Sequence, residues 1–375
     1  MPGTFWCSTA GSPPLLDDSA HGPRLLFVPV SGAYGMGEYA RSLAIARAAI
    51  GRWPQAEIRF LLSKQAPYAA SVPFRAALLP ASPTFHSAEV IRELQEFRPH
   101  IVIFDNAGRT AQLQAARRVA ARIVYISARP RQRAKAFRWR WMRLIDEHWI
   151  AYPRFIAGGL GFSERFKLRL LRRPTVRYLD VILARAAPQT DAASSGDAGG
   201  SYVLVVPGGG TGHPGAHDAV AQFRSAACSL AAAGASTIFV GPAGEDKAEE
   251  KISAAGLRRL APLPQAELMA LMRSARVVIA NGGSTLLQGI ACGCACVAVP
   301  IARDQKRRID ACVAAQVALA SSLHAADIVA TTEGLLHDEP QRVALAKRAA
   351  ALQLADGVEI AINALAALAA CGSRA

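Results

Sequence analysis

The sequence is poor in the features that mark several whole classes of protein. It has no apolar run near the roughly 20 residues that cross a bilayer, which argues against a membrane-spanning helix. Its opening, MPGTFWCSTAGSPPLLDDSAHGP, has neither a basic start nor an apolar segment. Residues 1–23 therefore read as a disordered tail and not as an export signal. The seven cysteines are odd in number and irregularly spaced. Without an export signal, reduced thiols in a cytoplasm are expected in place of a disulfide framework. No short internal repeat is visible. None of the Gly-rich loops carries the phosphate-binding lysine motif GxxxxGK[ST], and the first of them, GAYGMG, is not a GxGxxG, which disfavours a nicotinamide cofactor. Acidic residues are scarce: 28 Asp and Glu stand against 43 Lys and Arg, a formal charge of +15.

What is present begins with that charge, which is uneven. Between Arg129 and Arg177 there are 14 Lys/Arg and three acids, a net of +11. Such a field suits a polyanion: a nucleotide diphosphate, an anionic lipid surface or nucleic acid. A solvated, arginine-rich helix face explains the same residues without a partner. Within this stretch Phe137, Trp141, Leu144, Ile145 and His148 fall at helical spacing. They predict a basic helix over 129–149 that either packs its aromatics into a core or lies on an anionic membrane. Arginines interleaved with tryptophan also suit single-stranded nucleic acid, but that would leave the Gly-rich loops unexplained.

The chain of 375 residues is 51% hydrophobic. A single core rarely grows past about 250–300 residues, so two domains are expected. Short apolar runs alternate with helical patterns: 24–30, 57–63, 100–105, 122–128 and 148–152 as strands, with helices near 35–50, 87–98 and 108–121. Continuous apolar strands between helices predict parallel sheets covered on both faces. The small, polar run APQTDAASSGDAGG over 187–200 reads as a linker. Strand candidates then restart at 201–207, 236–241, 257–263, 276–281 and 294–300. The expected division is a first α/β domain over 24–186 and a second over 201–375. Whether the last helix, 355–370, packs back on the first domain is left open.

Ligands of open parallel sheets bind beyond the carboxyl ends of the strands. Three Gly-rich loops fall there: SGAYGMGE (31–38), PGGGTGHPG (207–215) and NGGST (281–285). Glycine lets a backbone approach a ligand closely, and a helix N-terminus offers free N–H groups to a phosphate.

The run NGGSTLLQGIACGCACVAVP, followed by Asp304-Gln305, resembles the donor-nucleotide signature of GT-B glycosyltransferases. It is similar in particular to the lipid-linked N-acetylglucosaminyltransferase family of peptidoglycan synthesis. Gly282, Gly283, Ser284 and Thr285 match the phosphate-cradling turn, Gly293 the later glycine, Pro300 the strand-ending proline, and Asp304 and Gln305 the pair that meets the donor sugar. Gly35-Met36-Gly37-Glu38-Tyr39-Ala40-Arg41 resembles the opening loop of the same family and of related nucleotide-sugar hydrolases. The likeness covers most of the second domain, and only the first strand, loop and helix of the first. It implies an α/β protein of two Rossmann-like domains whose parallel sheets face an interdomain cleft. The first domain would hold the acceptor and the second the nucleotide.

Two positions depart from the family pattern. Gln288 stands where the family usually has the glutamate that accepts from both ribose hydroxyls, a loss of about 1–3 kcal/mol unless the nucleotide is held otherwise. Glu38 stands where the family has a histidine. A carboxylate there can act as general base, stabilise its helix start, or bind substrate. Other candidates are Gly209, Gly210 and His213 beside the donor diphosphate, Gly35, Gly37 and Arg41 on the acceptor-side loop, and Asp105, which either meets the acceptor or caps the following helix. Cys292, Cys294 and Cys296 alternate like a metal trap but lack His or carboxylate companions, so buried thiols are expected and no metal.

The resemblance thus implies transfer of a sugar from a nucleotide-sugar, UDP-sugar first, to an acceptor hydroxyl, with inversion and without metal or other cofactor. The acceptor is open among a lipid-linked saccharide, a polysaccharide and a small molecule. The alternatives are a nucleotide-sugar hydrolase of the same fold and a non-catalytic protein binding nucleic acid or membrane. The expected setting is the cytoplasm, peripheral on the inner face of a membrane.

Overall fold

The computed structural model describes residues 22–33, 35–183, 202–208, 218–242 and 256–372. The linker over 187–200 and the tail up to residue 21 lie outside the described residues. Seven parallel strands form the first sheet: β1 (Arg24–Pro29), β2 (Glu57–Ser63), β3 (Arg75–Leu79), β4 (Ile101–Asp105), β5 (Arg122–Ser127), β6 (Glu147–Ile150) and β7 (Thr175–Tyr178), in the order β3-β2-β1-β4-β5-β6-β7. Six form the second: β8 (Tyr202–Val206), β9 (Thr237–Val240), β10 (Leu257–Leu260), β11 (Ala275–Asn281), β12 (Cys296–Val299) and β13 (Leu319–Ala320), in the order β10-β9-β8-β11-β12-β13.

The apolar runs become central strands because both of their faces are covered. In β1, Leu25 and Phe27 enter one core layer while Leu26 and Val28 enter the layer on the opposite face. In β8, Leu204 and Val206 divide from Val203 and Val205 in the same way. The strand order turns back between β1 and β4 in one sheet and between β8 and β11 in the other. A crevice opens beyond the carboxyl ends of the strands at each such switch point.

Helix α1 (Gly37–Arg52) covers β1, and the chain's last helix, α14 (Gly357–Gly372), lies beside α1. Ala361, Ala364 and Leu365 of α14 are fully buried in the first sheet's core with Ile45 and Ala46 of α1. The last helix therefore crosses back to the first sheet. The crossing is tight: Gly357 N–H donates to the Val181 carbonyl at 2.7 Å, and a Cβ on Gly357 would lie 2.1 Å from the Leu179 carbonyl oxygen.

Strands β3, β7 and β13 escaped the sequence reading. They are short edge strands with little burial; in β7 only half-buried and exposed residues occur, so no continuous apolar run announces it. The expected helix over 129–149 is a correction of the opposite kind. It breaks into α4 (Pro130–Ala136) and α5 (Trp139–Met142) and gives way to β6, the strand expected over 148–152. The apolar residues at helical spacing are buried all the same: Phe137, Trp141 and Ile145 pack inward, and His148 sits on β6. Strand pairing on both sides of β6 overrides the local periodicity. His148 Nε2 lies 2.8 Å from Ser127 Oγ, and burial, helped by the Arg133 charge, pushes its pKa down to about 3.

Candidate active site between the two sheets

The two switch points face one another across a cavity of about 470 Å³. The first half contributes the loop after β1 and the start of α1. Gly35 has a positive φ of 82°, a backbone conformation open to glycine, and a Cβ there would meet nothing within 4 Å. Glu38 follows in the first turn of α1. Its Oε1 accepts from Asn106 Nδ2 at 2.9 Å and lies 3.7 Å from the Arg129 guanidinium. Asn106 is held in turn, because its Oδ1 accepts from Ala128 N–H at 2.8 Å. No partner of Glu38 Oε2 occurs among the described residues, and Glu38 lines the cavity.

Arg41 and Asp105 pair with each other. Asp105 is fully buried, and its two oxygens accept from Arg41 Nε at 2.8 Å and Nη2 at 2.7 Å. It is not among the residues that line the cavity, and it does not cap the next helix, α3 (Thr110–Arg118), which starts after Arg109. Burial pushes the Asp105 carboxyl up, to about 6, against the pull of Arg41. Arg41 lines the cavity floor, but its guanidinium is turned to Asp105. The pair locks α1 to the end of β4 and so fixes where Glu38 stands.

The second half contributes the loop after β11. Asn281 joins the two switch-point loops: its Nδ2 donates to the Pro207 carbonyl at 2.6 Å and its Oδ1 accepts from Gly283 N–H at 2.7 Å. Helix α10 (Ser284–Ala291) starts there, with Gly283 as N-cap and no side-chain cap. Its first-turn N–H groups, at Ser284 and Thr285, therefore stand at the cavity with no helical acceptor. The two glycines do different work. A Cβ on Gly282 would lie 2.7 Å from the Ile309 side chain, so this glycine permits packing against α11 (Arg303–Ala314). A Cβ on Gly283 would lie 2.6 Å from Asn281 Oδ1 and break the turn.

Of the remaining expected residues, Gln288 is buried at the cavity wall, and its amide donates to the Ile182 carbonyl at 3.3 Å. Gln305 also lines the cavity, but its Oε1 already accepts from Ile301 N–H at 2.9 Å, leaving the amide N–H groups for a ligand. Asp304 is half exposed and accepts from Arg308 at 3.1 Å. Gly37 opens α1 at the cavity rim. Gly209, Gly210 and His213 lie outside the described residues. The thiols of Cys292, Cys294 and Cys296 donate to the carbonyls of Met269, Met272 and Cys294, away from the cavity.

Sequence reading missed Arg308 and Tyr152. Arg308 is buried; its Nε donates to the Gly282 carbonyl at 2.7 Å, and its Nη1 donates to the Tyr152 hydroxyl of the first half, whose ring lies 4.7 Å away. One guanidinium thus ties the α10 loop, Asp304 and the opposite half together. Arg308 stands three residues after Gln305, but nothing in the local sequence separates it from Lys306 and Arg307.

No protein-family model and no curated protein sequence matches the chain. Solved structures do. MurG of Acinetobacter baumannii matches with a TM-score of 0.60 at 13% identity, over 91% of this chain and 99% of that one. The glycosyltransferase VinC, in complex with dTDP, matches with a TM-score of 0.62 at 12% identity, over 94% of this chain and all of that one. UGT2 of Phytolacca americana, complexed with UDP-2-fluoroglucose and pterostilbene, gives 0.60 at 13% identity over 93% and 100%. The chain has the GT-B fold: two Rossmann-like α/β halves with parallel sheets facing one cleft, an architecture that resembles MurG over 91% of this chain.

Proposed function

We propose that this chain is a glycosyltransferase that moves a sugar from a nucleotide-sugar, UDP-sugar first, to an acceptor hydroxyl. The observation that carries the reading is the uncapped N-terminus of α10 facing Glu38 across one cavity. The solved relatives of this fold, in complexes with dTDP or UDP-2-fluoroglucose, support a nucleotide donor. The N–H groups and hydroxyls of Ser284 and Thr285 would hold the diphosphate. Asp304 and the Gln305 amide would meet the sugar, and Gln288 the ribose. The domain boundaries follow the same reading, with the acceptor on the first half and the donor on the second.

In the reaction, Glu38 takes the acceptor hydroxyl proton, the oxygen attacks the anomeric carbon, and the bond from that carbon to the diphosphate oxygen breaks. The nucleoside diphosphate leaves with that electron pair, and the anomeric centre inverts. The α10 N-terminus stabilises the charge on the leaving group, which gives a route that needs no metal. An anionic membrane surface is the further partner proposed, on the uneven charge of the first half.

Calorimetry with a panel of nucleoside diphosphates tests the donor, and product analysis tests the transfer. UDP binding, with sugar released as free hexose in the absence of any acceptor, would favour the hydrolase. No binding of any nucleotide would reject the reading.

A further inference from the structure

Helix α7 (Phe162–Leu171) has no buried residue. Phe162 (81% exposed), Phe166 (57%) and Leu170 (63%) stand four residues apart and form one apolar stripe. Such a stripe normally turns to the core. Here the helix is held by its other side. Glu164 pairs with Arg133 at 2.7 Å, and Lys167 Nζ donates to the Phe137 carbonyl at 3.1 Å. Both phenylalanines and Leu170 are left outside, while Leu168 and Leu171 are half-buried.

The surroundings of the stripe are basic. Arg165, Arg169 and Arg172 flank it and are exposed. Lys167 also lies 5.8 Å from the ring of Trp139, itself 38% exposed, which extends the patch to Arg138, Arg140 and Arg143. None of these six arginines has an acidic partner among the described residues. The acids of the segment are engaged elsewhere: Asp146 with Arg117 and Arg173, Glu147 with Arg177, and Glu164 with Arg133.

A second copy docked on this face about a two-fold axis would set arginines against arginines. Single-stranded nucleic acid would use the charge but gain little from Leu170, which cannot stack on a base. An anionic bilayer uses both features, with the stripe at the acyl boundary and the arginines among the headgroups. We propose that α7, with Trp139 beside it, is the membrane-docking face of this chain, and that it binds a bilayer surface containing anionic lipid. The proposal deepens the membrane partner named above and is independent of the donor site.

The test is sedimentation of the full chain with vesicles of phosphatidylcholine alone or mixed with phosphatidylglycerol. The wild type is expected to partition about tenfold or more in favour of the mixed vesicles, and less as salt rises. Two triple variants follow: Phe162→Ser/Phe166→Ser/Leu170→Ser and Arg165→Gln/Arg169→Gln/Arg172→Gln. Each should lower binding about tenfold or more while circular dichroism, melting temperature and UDP affinity stay as in wild type, since all six side chains are exposed. Equal sedimentation of the wild type with both vesicles overturns the proposal. So does wild-type binding by the serine variant: loss through the arginine variant alone would assign the patch to a polyanion such as nucleic acid. Loss of UDP binding in every protein, wild type included, would fail the donor reading and leave the docking result standing.

Discussion

Glu38 lines the cleft and accepts from Asn106 through one carboxylate oxygen, while no partner of the other occurs among the described residues, and the general-base role proposed for it is testable. Glu38→Gln keeps the size and the hydrogen bond to Asn106 within reach but removes basicity. Turnover should fall about 10²–10⁴-fold with UDP affinity nearly unchanged, because the diphosphate contacts proposed above lie on the other half. Turnover within a few-fold of wild type would return Glu38 to a helix-start role. Asp105 has a different part. Asp105→Asn leaves Arg41 charged and buried without its counter-ion, and stability should fall by about 3–5 kcal/mol in chemical denaturation. His148 adds a pH dependence. Its folded pKa of about 3 lies below the unfolded value of about 6.5, so the unfolded chain binds the extra proton between them. The contribution is therefore present above pH 6.5 and is lost as pH falls toward 3, about 3 kcal/mol between pH 7 and pH 4. His148→Gln should flatten that slope; an unchanged slope would show that the titrating group is elsewhere.

At the scale of an element, the loop into α10 shows how much of a motif is ligand chemistry and how much is packing. The glycines, serine and threonine of NGGST read as one phosphate cradle, yet Gly282 makes room for Ile309 and Gly283 for Asn281. A bulky residue at either position tests the turn before it tests the ligand. Ser284→Ala is the cleaner probe. It keeps the helix and its N–H groups and removes one hydroxyl, so nucleotide affinity should fall about tenfold, the worth of one hydrogen bond to a charged group, with an unchanged melting temperature. Unaltered affinity would take the Ser284 hydroxyl out of the site. The 129–149 stretch carries the converse lesson. Its aromatics do sit at helical spacing, but the apolar run read as a strand over 148–152 starts at Glu147 between two pairing strands, and where such pairing cuts off a helical period depends on partners distant in sequence.

At the scale of the molecule, the halves are joined where the ligand would lie. Tyr152 from the first half and Arg308 from the second meet at the cavity, and α14 returns from the second sheet to complete the first core. Tyr152→Phe removes only the hydroxyl that Arg308 reaches. It should raise the KM for the donor by about three- to tenfold and leave the melting temperature within error, because the ring can still lie against the guanidinium. A KM unchanged in steady-state assays would mean that the hydroxyl does not couple the halves at the donor site.

The sequence by itself determined the two parallel sheets, most of their central strands and two Gly-rich turns, at 31–38 and 281–285, whose residues line the cavity. Those features are local: buried strands are continuous apolar runs, and a Gly-rich turn before a helix is written in consecutive residues. Only the tertiary structure decided that Asp105 faces Arg41 and not the cleft, that Arg308 spans three segments, that α7 shows its apolar side outward, and that the last helix belongs to the first core. Each of these depends on which distant segment lies opposite, and burial and charge pairing are properties of that neighbour as much as of the residue.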